Sequence, residues 1–503
     1  MTDDSVNVDR SGRWMFWLCA AVALIPLWTV KYLPMIDLPQ HAAQLSIWRH
    51  LHDPAYGFAG QFELFWSEPY LLGYLLAMAL TPIVSVATAV KIVLSVYIVG
   101  FPWSMEQLLA QAGGDRRWAL MGFPLAFGYA FGWGFFPYLA AMPLALLLVA
   151  MAFRYARCPS WPTALVLAAM GCLLYVAHLL VLGIGTAAAG LVILARSIPA
   201  VGVRRALLRL APLAVPWPAV VAWMCWMRAH YAQTRSATVW AIGLERPAWF
   251  PSVLLGQAGD LEAGLMAILL VAAIALARPR PSRDPARWLP AVVLLALYLA
   301  APLVAFGTFY VYPRFAVFAF VFALAAFDAP RDAARARLSG LLLLGGALIW
   351  LAVLGVRHRA FDEEARTFDA VMQRMEPNRR AVALTFDPTS RWVKGVPYLH
   401  FLAWYQVEKG GVLGFSFASF SGMMARYRPG AEPPMTAGLE WYPGRFSWER
   451  DGGFDYYVVR APVDIGPELA RGAAAPLRLE VRSGPWWLFH KLGGEGSGQQ
   501  AVR

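Results

Sequence analysis

An aspartate and a histidine lie one helical turn apart just after the first long apolar segment, in the stretch MIDLPQHAAQLSIWRHLHDP (residues 35–54). Asp37 and His41 are four positions apart, so a helix would place both side chains on one face. A carboxylate at this place could accept a proton from an incoming hydroxyl group or bind a metal ion. Asp37 and His41 are therefore the first candidates for catalytic residues.

The same stretch also has a purely structural interpretation. Asp37 is a good N-cap residue, and Pro39 is tolerated in the first turn of a helix. A helix running to about Leu51 would carry apolar residues on one side, with Gln40 and Gln44 turned away from them, which is typical of an amphipathic helix on the outer membrane surface. Both interpretations stay open on the sequence alone.

Three arginines are candidates for binding a phosphate group, and a histidine is a further candidate for a functional residue. Arg314 begins an apolar segment directly after GTFYVYP, and an arginine fork binds phosphate oxygens in pairs. Arg235 and Arg246 lie in the connection 229–259, and His178 lies between two apolar segments, where an ionisable group is a functional hypothesis by default. The structural alternatives are a membrane-interface anchor, solvated loop charges and a histidine bonded to a backbone carbonyl, respectively.

Further acidic and titratable groups follow in the same loop. Glu63 and Glu68 flank LFWS, and either could be a second acid, or a carboxylate at the start of the next helix. His50, His52 and Asp53 form a local cluster that indicates a polar helix end rather than a metal site.

The composition defines the class of protein that must position these groups. The chain has 503 residues, of which 59% are hydrophobic and 15% charged, with a net charge of +12. Soluble domains carry roughly a quarter charged residues. Many apolar runs of about 18 residues or more, without strand-like alternation, predict a polytopic helical membrane protein. The excess arginines lie in short connections between these runs, which indicates topology rather than nucleic-acid binding.

Arginine clusters in the connections set the predicted orientation, because positively charged loops stay on the cytoplasmic side. They lie at 154–157, 196–209, 278–287 and 331–337. Apolar segments at about 161–178, 179–195, 211–228, 260–277, 288–306, 314–328 and 338–356 then place everything after Arg357 outside. The N-terminus, with Arg10 and Arg13, starts in the cytoplasm, so residues 34–69 form an outer first loop.

Residues 70–153 contain four apolar pieces but must cross the membrane an odd number of times. The piece FPLAFGYAFGWGFFPYL (123–139) is rich in glycine and aromatic residues and is expected to be broken or re-entrant. Such backbone is tolerated at membrane depth where protein surrounds it or where it lines a cavity. The predicted fold class is an α-helical polytopic membrane protein of about eleven transmembrane helices plus this segment.

Residues 357–503 are predicted to form a small soluble α/β domain after a transmembrane domain of residues 1–356. RAVALTFD, VLGFSFA and FDYYVVR are typical of strands, and YLHFLAWYQVEKGG is typical of a helix that ends at glycine. LRLEVRSGPWWLFHKL predicts a hairpin that turns at Ser483 and Gly484. The tail GGEGSGQQAVR is predicted to be disordered.

This layout resembles the GT-C superfamily of membrane glycosyltransferases. The residues that carry the resemblance are Asp37 in PMIDLPQH and Arg314 in VYPRFAVF, within an architecture that covers nearly the whole chain. The resemblance implies a sugar donor on a polyprenyl phosphate, and an acidic residue after the first span that acts as base or metal ligand. Many members carry two adjacent acidic residues there, whereas Leu38 follows Asp37 here. A divalent metal ion and a metal-free base therefore stay as alternatives, and no other cofactor is indicated.

The predicted function is transfer of a sugar from a polyprenyl-phosphate donor to a lipid, glycan or protein acceptor at the outer face of a bacterial inner membrane, with inversion. Asp37 would be the base, Arg314 the phosphate clamp, and the C-terminal domain would help to bind the acceptor. The chain has no P-loop or GxGxxG motif, and a lipid-phosphate donor needs no nucleotide site. A transporter or lipid flippase, and a catalytically silent envelope-assembly protein, are the alternatives.

The predicted topology can be tested with reporter fusions. A reporter placed after Arg357 should be active in the periplasm, and reporters near Arg205 and Arg283 only in the cytoplasm, because the arginine-rich connections are retained there. A cytoplasmic signal from the fusion after Arg357 would overturn the outer location of the C-terminal residues.

Overall fold

The computed structural model describes residues 3–230, 237–256, 259–305 and 307–492. The helices in this part of the chain are α1 (Asp3–Trp28), α2 (Leu38–Arg49), α3 (Leu72–Leu80), α4 (Val86–Ala112), α5 (Gly122–Ala126), α6 (Tyr129–Trp133), α7 (Phe136–Arg157), α8 (Trp161–Ala177), α9 (Leu179–Leu208), α10 (Ala211–Ala214), α11 (Trp217–His230), α12 (Glu245–Leu255), α13 (Asp260–Ala277), α14 (Pro285–Ala300), α15 (Pro313–Ala325), α16 (Ala333–Ala365), α17 (Phe368–Arg374), α18 (Ala403–Lys409), α19 (Trp448–Asp451) and α20 (Gly466–Ala470). The strands are β1 (Phe62–Leu64), β2 (Val304–Ala305), β3 (Thr308–Phe309), β4 (Arg380–Thr385), β5 (Val412–Leu413), β6 (Ala425–Tyr427), β7 (Tyr456–Arg460), β8 (Leu477–Ser483) and β9 (Trp486–Lys491).

The long helices make this a membrane protein. In the described residues, four helical stretches are long and apolar enough to cross a membrane: Val86–Ala112, Phe136–Arg157, Leu179–Ala214 and Ala333–Arg374. Shorter apolar helices are Arg13–Trp28, Trp161–Ala177, Leu261–Ala277, Pro285–Ala300 and Pro313–Ala325. The polytopic helical class follows from these helices. The count of about eleven spans stays a prediction.

Residues 123–139, which were predicted to form a broken or re-entrant segment, do not form a continuous helix. Two five-residue helices, α5 and α6, replace a continuous span there. Gly128 separates them at a point where an added Cβ would collide with the carbonyl oxygen of Leu254. Gly134 ends α6 in the left-handed conformation, with φ of 80°, which favours glycine because it has no Cβ. These two glycines let the backbone turn before α7 begins.

Helix α9 is longer than the predicted segment 179–195. It continues to Leu208 through the arginine-rich stretch that the sequence indicated as a loop. Gly202, with φ of 78° and ψ of 165°, is not helical, so α9 consists of two helical pieces joined at a kink. Arginine has a good helix propensity, so a cluster of arginines marks a side of the membrane without marking the end of a helix.

The chain divides into two compact units. The first unit comprises Met1–Thr29, Pro69–Leu76 and Lys91–Val356, and the second comprises Val30–Glu68, Ala77–Val90 and Arg357–Arg503. The predicted domain boundary at 356/357 coincides with a boundary between units. Most of the predicted first outer loop, 34–69, belongs to the second unit together with the C-terminal residues.

The second unit contains a mixed five-stranded sheet in the order β5-β4-β7-β9-β8. Strand β4 runs parallel to β5 and β7, whereas β9 is antiparallel to β7 and β8. Strands β8 and β9 form the predicted hairpin, with Gly484 at a positive φ in its turn. The predicted strand VLGFSFA is only two residues long, because the Ser416 side chain accepts a hydrogen bond from the amide of Ala418 and starts a 3₁₀ turn.

A buried ion pair lies beside the paired strands β1 and β6 of this unit. Strand β1 pairs with β6, and Arg426 of β6 binds the carboxylate of Glu68, a side chain that is 1% exposed. The Arg426 guanidinium also lies 4.1 Å above the ring of Phe65. Glu68, which the sequence presented as a second acid or a helix-start carboxylate, is therefore one half of a buried ion pair.

Breaking this pair should be costly. Arg426→Ala should lower the free energy of unfolding by about 3–5 kcal/mol, because Glu68 would stay buried without its counter-charge. Arg478→Ala, which removes one half of an exposed pair with Glu480, should cost about 0–1 kcal/mol. Unfolding of both variants in detergent measures the difference, and equal losses would contradict a structural role for the Glu68–Arg426 pair.

Candidate active site

Asp37 lies at the N-terminal end of α2 but does not cap the helix with its side chain. Its backbone is in the right-handed helical region, and its carboxylate makes no hydrogen bond to the amides of the first turn. Oδ1 instead lies 3.0 Å from Nδ1 of His400. The capping interpretation of the sequence is therefore wrong for the Asp37 side chain, which gives up a contact worth about 1 kcal/mol.

The segment before Asp37 is held by two carboxylates. The amides of Lys31 and Tyr32 donate to Oδ1 of Asp362 over 2.9 Å and 2.7 Å. The Tyr32 hydroxyl donates to Oδ1 of Asp369 over 2.7 Å, and its ring packs against that of Phe401. These contacts fix the backbone that leads into Asp37.

His400 comes from the chain just before α18, which packs against α2. Its ring stacks on Phe415 with centroids 4.7 Å apart and meets the edge of Phe417 at 5.7 Å. Within the described residues, Nε2 of His400 is buried and makes no hydrogen bond. An unsatisfied buried polar atom costs about 1–3 kcal/mol. Together with the lost cap, this cost points to a role for the Asp37–His400 pair other than stability.

Helix α2 is buried and is not an amphipathic surface helix. Ten successive residues, Leu38–Ile47, are buried. Gln40 donates to the carbonyl oxygen of Phe415 at 3.2 Å and accepts from the amide of Phe417 at 3.0 Å, while Gln44 accepts from the amide of Ala425 at 2.8 Å. The prediction of an amphipathic surface helix is wrong, because the polar side chains face buried backbone groups, to which they bond, and not solvent.

His41 lies one turn after Asp37, as the spacing predicted. Its amide donates to the carbonyl oxygen of Asp37 over 3.0 Å, and its ring meets the edge of Phe417 at 5.3 Å. The ring is 5% exposed. The structure thus brings Asp37, His41 and His400 to one aromatic wall formed by Phe415 and Phe417.

Arg314 and His178 lie together in the first unit. Arg314 is in the first turn of α15, and its Nη1 lies 3.5 Å from Nε2 of His178, which occupies the extended link between α8 and α9. The guanidinium lies 4.0 Å above the ring of Phe135 and 5.4 Å from that of Tyr138. Its hydrogen bonds to the carbonyl oxygens of Tyr310 and Phe309 are long, at 3.3 Å.

A small cavity of about 20 Å³ adjoins Arg314. Its walls include Tyr97, Tyr129, Tyr138 and Arg314, together with apolar side chains of α7 and α12. An arginine at the side of an aromatic cavity has the chemistry to bind an anionic group that carries an apolar part.

Arg246 has a different environment. Arg246 is 1% exposed. Its Nη1 donates to the carbonyl oxygens of Tyr298 and Leu299, the two residues before the last residue of α14. The guanidinium lies 4.0 Å above the ring of Tyr312. This arrangement favours a helix C-cap over a phosphate contact. The second loop arginine of the sequence analysis, Arg235, lies outside the described residues.

The remaining acidic candidates are not brought to Asp37. Glu63 is in β1, opposite Arg426 in the ladder, and is half-buried.

The local cluster around His50 is also separate from Asp37. The ring of His50 stacks on Tyr56 with centroids 3.8 Å apart, and burial together with the charge of Arg49 lowers the pKa of His50 below the ordinary value. No group of three or more metal-binding side chains occurs in the parts of the chain that the structure describes.

Sequence reasoning missed His400 and the bonding role of Gln40. His400 is 363 positions away from Asp37 in the chain, so no local spacing connects them. The one available signal was a histidine near the start of a predicted helix, in PYLHFLAWYQ.

Comparisons with known proteins agree on the fold. No protein-family model and no curated protein sequence matches the chain. The crystal structure of ArnT from Cupriavidus metallidurans bound to undecaprenyl phosphate is similar with a TM-score of 0.56 at 11% identity, over 96% of this chain and 98% of that one. Arabinofuranosyltransferase AftD from mycobacteria is similar with a TM-score of 0.52 at 14% identity, over 95% of this chain and 40% of that one. The chain therefore shares the fold of these two structures, in agreement with the resemblance in the sequence.

Proposed function

We propose that the protein transfers a sugar from a polyprenyl-phosphate donor to an acceptor at the outer face of a bacterial inner membrane. The observation that carries the proposal is the Asp37 carboxylate, which follows the first apolar helix, leaves the helix uncapped and makes a single hydrogen bond, through Oδ1. Its Oδ2 makes no hydrogen bond in the described part of the chain. The fold shared with a protein bound to undecaprenyl phosphate and with a glycosyltransferase supports the donor and the reaction class.

Asp37 would act as the general base. The acceptor hydroxyl would give its proton to Oδ2 while its oxygen attacks the anomeric carbon of the sugar. The bond from that carbon to the phosphate oxygen would break, and its electron pair would leave with the polyprenyl phosphate. Attack from the face opposite the phosphate inverts the anomeric configuration, as the sequence resemblance implies.

Arg314 would bind the donor phosphate. Its guanidinium borders a small aromatic cavity, and its hydrogen bonds to the carbonyl oxygens of Tyr310 and Phe309 are long, at 3.3 Å, so a phosphate oxygen would be a stronger acceptor. His178, next to it, would help to orient the guanidinium.

An apolar groove beside Arg314 would hold the polyprenyl chain. The groove has a volume of about 220 Å³ and lies between α9 and α14. Leu180 and Phe315 are part of its wall, and they follow His178 and Arg314 closely in the chain. A lipid whose phosphate meets Arg314 therefore finds apolar surface at the position where its tail begins.

The residues at Asp37 do not make a zinc site. A catalytic zinc ion takes three protein ligands, and the described residues contain no group of three or more metal-binding side chains. Mg²⁺ is held by as few as one or two carboxylates together with substrate phosphates, so Asp37 with a donor phosphate keeps that alternative to a metal-free base. The proposal assigns no step to a metal ion.

Asp37→Asn tests the base. The amide keeps the size of the side chain and an oxygen for His400, so the variant should fold and insert normally, but it cannot take the proton. Turnover of undecaprenyl-phosphate monosaccharides, with an envelope extract as acceptor, should fall by about 10²–10⁴-fold. Asp53→Asn, the same change in a carboxylate that serves a local turn, is the control. Wild-type turnover in Asp37→Asn would eliminate Asp37 as the base.

Arg314→Lys and Arg314→Ala test the phosphate clamp. Lysine keeps the charge but lacks the planar fork, so it should retain part of the affinity for undecaprenyl phosphate, and alanine should lose about 1.5–3 kcal/mol of binding. Binding of undecaprenyl phosphate to the purified chain measures both. Arg335→Ala, which removes an exposed arginine paired with Asp332, should bind as the wild type does. Undiminished binding by Arg314→Ala would reduce Arg314 to a membrane anchor.

A further inference from the structure

We propose that His400 is a positioning residue for the base: its Nδ1–H holds Oδ1 of Asp37, so that Oδ2 faces the acceptor hydroxyl. The inference deepens the proposed function and rests on it for the identity of the reaction. The hydrogen bond itself stands on the geometry alone, at 3.0 Å between Nδ1 and Oδ1.

The chemistry of the two groups fixes the tautomer. An ionised carboxylate can only accept hydrogen bonds, so the proton between the two atoms must be on Nδ1 of His400. In the neutral ring, Nε2 then carries a lone pair, and this atom is buried without a partner in the described part of the chain. His400 thus donates to Asp37 through Nδ1, while its Nε2 makes no hydrogen bond to any described residue.

The ring of His400 is held rigidly enough to orient a carboxylate. Phe415 lies flat against it at 4.7 Å with an angle of 14° between the planes, and Phe417 meets it edge-on. The backbone of both phenylalanines is bonded to the side-chain amide of Gln40. Gln40 is three residues after Asp37, so the base and the wall behind its partner are both fixed to the first turn of α2.

Burial decides which of the two groups takes the proton. The side chain of Asp37 is 13% exposed, against 6% for His400, whose Nε2 is enclosed. The carboxylate is the more exposed of the two groups, so an acceptor hydroxyl is expected to reach Asp37 rather than the buried Nε2 of His400. His400 therefore keeps its Nδ1 proton throughout, while the acceptor proton goes to Oδ2 and the electron pair of the broken bond leaves with the phosphate.

Three substitutions of His400 separate positioning from proton acceptance. Asparagine carries its amide nitrogen at the δ position, where it can replace Nδ1–H, whereas glutamine carries it at the position of Nε2. With undecaprenyl-phosphate monosaccharides as donors, His400→Ala should lower kcat on the order of 10²-fold and leave KM for the donor unchanged. His400→Asn should restore most of the rate, and His400→Gln should resemble alanine.

Combination with Asp37→Asn provides the second criterion. If His400 acts through Asp37, His400→Ala should have little further effect on kcat in the Asp37→Asn background, because residues that act as a unit are not additive. His490→Asn is the matched control, since Nδ1 of His490 lies 3.1 Å from a carboxylate oxygen of Glu480 in the hairpin. It should leave kcat unchanged.

A measurement that does not depend on turnover keeps this inference separate from the proposed function. In the full chain labelled with ¹⁵N-histidine, the signal that disappears in His400→Asn should show a protonated Nδ1 and an unprotonated Nε2, and it should shift in Asp37→Ala. A protonated Nε2 with a bare Nδ1 would overturn the inference, even if the enzyme is active.

The remaining outcomes are distinguishable. If Asp37→Asn is inactive while His400→Ala turns over at the wild-type rate, the positioning role is wrong and the base survives. If His400→Asn is as slow as His400→Ala, an N–H donor at the position of Nδ1 is not what His400 contributes, and the inference is overturned. If the wild type transfers no sugar, the proposed function fails, and the tautomer measurement still decides the Asp37–His400 contact.

Discussion

Buried backbone outside helices and strands must find hydrogen-bond partners, and the second unit depends on side chains that meet this requirement. Asp362 accepts two amides of the segment before α2, Gln40 bonds to the amide and carbonyl groups of the loop 415–417, and Gln44 accepts the amide of Ala425. Each of these contacts joins parts of the chain more than 300 positions apart. The first loop and the C-terminal residues therefore fold as one body.

The same requirement explains why Asp37 is available for chemistry. The amides before it are satisfied by Asp362, and the loop beside it is satisfied by Gln40. The carboxylate of Asp37 is therefore not needed as a hydrogen-bond partner for backbone amides. It is left with one histidine contact and one unengaged oxygen, whereas Asp115 and Asp284 accept hydrogen bonds at the N-terminal ends of their helices.

Arginines have two separable roles in the first unit. Those in the connections are predicted, from the sequence pattern, to mark the cytoplasmic side. Arg246 and Arg287 are buried, however, and bind carbonyl oxygens at the C-terminal ends of α14 and α15. Such contacts satisfy helix ends in a region where water is scarce. A charge count cannot distinguish these two kinds of arginine.

The sequence predicted most of the regular elements, because their signals are local. Helix α8, the strand β4 and the β8–β9 hairpin follow from apolar runs, alternation and a glycine turn, and the glycines of 123–139 indicated a broken backbone. The burial of α2 could not be predicted, since Gln40 and Gln44 appear polar until their partners near residue 420 are known. Asp37 and Arg314 were selected by position and residue type. His400 could not be selected in this way, because only the fold brings it close to Asp37.

The shared body of the first loop and the C-terminal residues also imposes an order on folding. Residues 30–68 leave the ribosome early, but their partners begin at Arg357. At about 5–20 residues per second, that interval is roughly 15–60 s of synthesis. During this time the segment that carries Asp37 has neither His400 nor the loop that buries α2. Contacts of such high sequence separation form slowly, and the apolar face of the waiting segment is exposed to aggregation or to chaperones. Truncation from the C-terminus would thus deprive the first loop of its fold as well as removing the sheet.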